Sequence, residues 1–120
     1  MTELTPQCET DDHAPAARSF DPVACDRAAA IFRALGDPNR LHILILLRQG
    51  PMCVTAIADE LDDNLSAVSQ RLKLLRSERI VVTRREGKHV FYALTDDCIV
   101  ELIDHALAHG SESLTPKPPR

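Results

Sequence analysis

The sequence predicts a mainly α fold closed by one β-hairpin, and three observations carry that reading. Apolar residues return at helical spacing in five segments. Two of these segments, one from Val54 to Leu61 and one from Ser66 to Arg79, are separated only by the polar break Asp62-Asp63-Asn64, which is the layout of a helix-turn-helix. Directly after them, two β-prone runs, Ile80 to Arg84 and His89 to Leu94, flank Glu86-Gly87-Lys88 and predict a hairpin turning at Gly87. A hairpin that follows a recognition helix makes the winged variant.

The elements follow in order. Asp21-Pro22 starts a first helix, with Asp as cap and Pro at the first helical position, and Gly36 stops it. Its stripe is Val23, Ala24, Ala28, Ile31, Phe32 and Leu35, and Cys25 on the same helix is read as a core residue. Asp37-Pro38 starts a second helix, PNRLHILILLRQG, closed by Gly50-Pro51; it is apolar on most sides and belongs at the centre of the core. In the short third helix Ile57, Ala58 and Leu61 share a face, and in the fourth Val68, Leu72 and Leu75 point inward while Ser69, Gln70, Lys73 and Arg76 point outward. After the hairpin, Asp96 to about Glu112 makes a last helix whose stripe of Ile99, Leu102, Ile103, Ala106 and Leu107 can pack on a second copy of itself. Residues 1–19 and 113–120 lack periodicity and read as a flexible arm and tail around one domain at 20–112.

With 120 residues, two domains would leave neither half a secure core, and an apolar share of 44% suits one globular unit. No apolar run is longer than Ile43 to Leu47, well short of the roughly 20 residues of a membrane span. The acidic start MTELTPQCETDDH lacks the basic and apolar regions of a secretory signal, so a cytoplasmic location is expected. Cys8, Cys25, Cys53 and Cys98 are too scattered for a disulfide framework.

Net charge is −4, yet the stretch from Arg71 to Lys88 holds seven basic residues against Glu78 and Glu86, a local balance of +5. A basic stretch on an acidic body fits a surface that meets phosphates, the alternative being a solvated charged face. With three Phe, one Tyr and no Trp, stacking of single-stranded bases is a poor fit, which leaves duplex binding open. A helix in the major groove needs short polar or amide side chains for base edges and cations for phosphates. Ser66, Ser69, Gln70 and Arg71 meet the first need; Lys73, Arg76, Arg84, Arg85 and Lys88 meet the second, the last three on a hairpin able to reach the minor groove. Ser66 has a competing role as helix N-cap.

The residues ALGDPNRLHIL entering the second helix, LSAVSQRLKLLR as recognition helix and REGKHVFYAL as wing resemble the ArsR/SmtB family of metal-responsive repressors, from about Ala28 to Glu112. The resemblance implies a homodimer built on the first and last helices, two winged units on successive major grooves, and metal binding that lowers operator affinity.

The last helix is dense in potential ligands, with Asp96, Cys98, Asp104, His105, His109 and Glu112. Cys98 and His109 are eleven residues apart, roughly 16 Å on a straight helix, too far to share one ion. Two antiparallel copies related by a twofold could set Asp96 and Cys98 of one chain beside His109 and Glu112 of the other, a set that suits tetrahedral Zn(II) and gives two equivalent sites. The family resemblance matches Asp96, His109 and Glu112 to its last-helix ligands; Cys98 stands where zinc-sensing members usually have His, so Cd(II) or another thiophilic ion fits as well. Other readings are a polar surface pair for His109 and Glu112, a small buried hydrophobe for Cys98, and a substitute ligand or surface residue for His105. Cys53 falls on the central Cys of a second family site, which Cys8 and His13 can join from the arm, with Asp11 or Asp12 assisting. That pattern is incomplete: Ala56 stands where an acidic residue is usual, and Cys53-Val54-Thr55 is not the Cys-x-Cys of arsenite sensors.

The function expected is therefore a DNA-binding repressor released by Zn(II) or a similar ion, acting on double-stranded operator DNA with no membrane and no organic substrate. The alternative is the same fold responding to thiol oxidation, or to no metal at all. An enzyme is not expected: nothing resembles HExxH or a Ser/His/Asp set.

Overall fold

Four of the five helices in the computed structural model, which describes residues 21–112, begin where a short polar side chain takes up a free amide of the first turn. Helix α1 (Pro22–Leu35) is capped by Asp21, whose carboxylate accepts from the Val23 amide at 3.0 Å. Helix α2 (Pro38–Leu47) is capped by Asp37, which accepts from the Arg40 amide at 3.0 Å. Arg40 then turns back, its Nε donating to the Ala34 carbonyl at 2.9 Å and its Nη2 to the Arg33 carbonyl at 3.1 Å. The Arg33 carbonyl also accepts from the Gly36 amide that caps α1, and the guanidinium, reaching both carbonyls, ties the two helices at their junction.

A short strand β1 (Met52–Cys53) leads into α3 (Val54–Leu61), which stops at Asp62 in the left-handed region (φ 52°). Helix α4 (Leu65–Ser77) starts at Asn64, whose side chain accepts from the Ala67 amide at 3.1 Å. It ends with Arg79 at φ 63° and the Ile80 amide donating to the Leu75 carbonyl at 2.9 Å, so that the chain turns sharply into β2 (Val81–Glu86). Strand β3 (His89–Leu94) pairs antiparallel with β2 from Val81–Leu94 to Glu86–His89, and with β1 through Met52–Tyr92 and Cys53–Phe91. The sheet order is β1-β3-β2. Helix α5 (Asp97–Gly110) is capped by Asp96, which accepts from the Ile99 amide at 3.1 Å.

The core gathers on α2, whose Ile43 and Leu44 are fully buried, with Ile57 of α3, Val68, Leu72 and Leu75 of α4, and Ile103 of α5 around it. This is the winged helix-turn-helix that the periodicity predicts, and the caps at Asp21 and Asp37 are the ones expected.

Several details differ. The cap of α4 is Asn64 rather than Ser66, because Asn64 already reaches the Ala67 amide. The strand after it starts at Val81, since Ile80 is spent on the turn. Strand β1 was not expected; its two residues are held by a partner far along the chain. Cys25 is not a core residue: of α1 only Ala34 is buried, while Cys25, Val23 and Phe32 are exposed. Cys8 and His13 lie outside the described residues.

Candidate nucleic-acid interface and ligand-bearing helix

The fold divides the predicted site residues between two places. On α4, burial of Val68, Leu72 and Leu75 fixes the rotation of the helix and turns Ser66, Ser69, Gln70, Lys73 and Arg76 to the outside. The capping carboxamide of Asn64 frees the Ser66 hydroxyl from that duty. The hairpin projects beside this face, with Arg84, Arg85 and Lys88 exposed near its tip. Arg84 shares its face of β2 with Glu86, and the two side chains lie 3.3 Å apart in an open ion pair.

Arg71 is set apart from these groups. It lies on the flank of α4 that looks back at the helix-turn-helix turn, and its Nη1 donates to Asp63 Oδ2 at 2.7 Å. The other carboxylate oxygen of Asp63 accepts from the Asn64 amide at 2.7 Å. The Asn64 amide, and after it the Arg71 guanidinium, hold the Asp63 carboxyl below its ordinary pKa. The sequence pattern does not show this pairing, because eight residues separate the partners and one of them lies outside the helix.

The second place is α5. Asp96 caps the helix through Oδ1, and Cys98, His105, His109 and Glu112 are all exposed. The Asp104 carboxylate is drawn aside by Arg48 at the end of α2, whose Nε lies 2.5 Å from Oδ1. Among the described residues of one chain these donors do not meet to fit an ion. Asp96 and Cys98 open the helix while His109 and Glu112 close it, and among the described residues no three His, Cys, Asp or Glu side chains come together to hold a metal. Cys53 sits at the N-terminus of α3, half-buried, with its sulfur 3.3 Å from the Thr55 hydroxyl. That hydroxyl first, and the Ala56 amide second, lower the pKa of the thiol.

A helix-turn-helix with a basic reading face and a basic wing defines a DNA-binding regulator rather than an enzyme. The model of the bacterial regulatory protein arsR family matches residues 37–83. The transcriptional regulator NmtR of Mycobacterium tuberculosis is 39% identical over 91 residues, covering 76% of each chain. A cadmium resistance regulatory protein, a CadC homologue of Staphylococcus aureus, is 34% identical over 85 residues, 70% of each chain. Among solved structures, the homodimeric winged helix-turn-helix DNA-binding domain Mb0332 of Mycobacterium bovis superposes with a TM-score of 0.74 at 32% identity, covering 88% of this chain and 98% of that one. The chain belongs to the ArsR family of bacterial transcriptional regulators.

Proposed function

We propose that the chain acts as a homodimeric repressor that leaves its operator when Zn(II), or a similar thiophilic ion such as Cd(II), is held between the last helices of the two copies. Ser66, Ser69 and Gln70 read base edges in the major groove, and Lys73, Arg76, Arg84, Arg85 and Lys88 hold phosphates. Asp96 and Cys98 of one copy with His109 and Glu112 of the other supply the four donors, giving two equivalent sites. Cys53, at the α3 N-terminus, joins Cys8 and His13, which lie outside the described residues, in a second set of donors. The regulator works in the cytoplasm, without a membrane or organic ligand; among the described residues no helix is long and apolar enough to cross a membrane.

The observation that carries this reading is the arrangement of α5. Its donors are exposed at opposite ends of one helix, where no three come together among the described residues, and they are complementary to an antiparallel copy. The relatives' names support it, since one is a cadmium resistance regulator. Linkage requires that the operator weaken metal binding by the factor by which metal weakens operator binding. A second reading, release by thiol oxidation, is favoured by the lowered pKa of Cys53 and the exposure of Cys98.

Fluorescence anisotropy of a duplex from upstream of this protein's own gene, titrated with reduced protein and then with Zn(II) at fixed ionic strength, tests the proposal. Stoichiometric Zn(II) should weaken binding by about 5- to 150-fold, the span of ordinary coupling free energies. His109→Ala should abolish that response and leave metal-free binding intact. Release by peroxide through Cys53 and Cys98, with no effect of Zn(II), would replace the metal reading with the redox one.

A further inference from the structure

An acidic turn placed directly against a phosphate-binding helix works against DNA binding unless its charge has a use. Asp62 and Asp63 occupy that position, one residue before the cap of α4. Asp63 is fully engaged, Oδ1 by the Asn64 amide and Oδ2 by Arg71 Nη1, both at 2.7 Å. The pair is also the more sheltered of the two on the reading head: Arg71 and Asp63 side chains are 24% and 33% exposed, against 61% and 59% for Arg84 and Glu86. Shelter and two charge-assisted bonds on one carboxylate make this pair the harder one for solvent or phosphate to displace.

We propose that Asp63 is a specificity-determining residue: by holding the Arg71 guanidinium against the turn, it withholds one cation from the DNA backbone and so limits binding to unrelated sequences. Binding to unrelated DNA rests almost wholly on phosphate neutralisation, so each cation withheld lowers it, whereas an operator is also held by base contacts from Ser66, Ser69 and Gln70. The position of Arg71 makes the device possible. It is one residue beyond Gln70, about 100° around the helix from the reading face. From there a guanidinium released from Asp63 has the reach and freedom to swing toward a phosphate. The rigid seat of Asp63 on the Asn64 amide keeps it turned inward.

The test uses the full chain and a random-sequence duplex, with anisotropy measured across a salt series. Asp63→Asn should bind the random duplex about 3- to 10-fold more tightly at low salt, with a salt slope steeper by about 0.9, the value of one added phosphate contact. Affinity for the upstream duplex should rise less, so that the ratio between the two falls. The double variant Asp63→Asn/Arg71→Ala should lose the gain. If the double variant keeps it, the carboxylate merely repels phosphates and the proposal is overturned; an unchanged slope in Asp63→Asn overturns it too. Should Asp63→Asn fold poorly, Arg71→Gln and Lys73→Gln decide. The first should leave the salt slope near that of the unaltered protein and the second should flatten it by about 0.9, while equal flattening would place Arg71 on the phosphates already.

Discussion

Helix α4 and the pair α1 and α5 are built to different degrees of completion. Helix α4 has three fully buried side chains, Val68, Leu72 and Leu75, a side-chain cap at its start and a left-handed turn at its end, all supplied by its own chain. Helix α1 buries only Ala34 and leaves Val23 64% and Phe32 59% exposed. Helix α5 buries Ile99 and Ile103, but Ala106 and Leu107 near its end border an open apolar cleft of about 410 Å³ shared with Leu41. The interior of the reading head is closed by its own side chains, and the apolar groups it exposes, Leu65, Leu74 and Val82, lie outside that interior. The outer helices carry exposed apolar surface and, on α5, donors that do not come together among the described residues; under the proposed homodimer a second copy would meet both lacks.

The first way to break this comparison is inside the head. Leu72→Ala should cost about 3 kcal/mol of folding stability, since a fully buried leucine loses both transfer free energy and packing. Urea unfolding would show it as a lower midpoint with an unchanged slope. A loss below about 1 kcal/mol would mean that the head is looser than its burial implies.

How much of this was legible in the sequence depends on the range of the interaction concerned. Asp21-Pro22 and Asp37-Pro38 act within one turn, and both caps are found where the pattern puts them. At α4 the sequence offers Ser66 as a cap, but Asn64, read there as part of the polar break, takes the role by reaching the Ala67 amide. Strand β1 was invisible because two residues carry no periodicity and Tyr92 and Phe91 hold them. Cys25, expected as a core residue, is exposed: the sequence shows that α1 has a stripe but not what covers the helix. The α5 donors are read from the sequence as a set shared between two copies, and the structure leaves them exposed at the two ends of the helix, apart from one another. The Asp63–Arg71 pair is a choice between side-chain partners that spacing alone does not make.

A second break acts on the outer helices. Phe32→Asp should leave the single chain's folding nearly unchanged, within about 0.5 kcal/mol, because an exposed position has little packing to lose. Its effect should fall on assembly: sedimentation equilibrium should show dimer dissociation at concentrations at which the unaltered protein stays paired. Operator binding should then fall with dimer content, since a single head meets only one groove. A variant that stayed dimeric would move the interface off this face of α1.

The smallest effect is expected at the wing, which belongs to the head but extends beyond its core. Gly87 adopts φ 64° at the hairpin tip, and a Cβ added there would meet nothing within 4 Å. Gly87→Ala therefore costs only the left-handed backbone, about 1 kcal/mol, and Gly87→Asn should cost less because Asn tolerates that region. Thermal unfolding should separate the two variants by a few degrees at most, with Ala below Asn. Their effect on DNA should be larger than on stability, because the turn sets where Arg84, Arg85 and Lys88 are carried relative to α4. If Gly87→Ala changed stability and left the salt dependence of DNA binding untouched, the wing would be a structural flap rather than a phosphate contact, and the head's DNA surface would reduce to α4 alone.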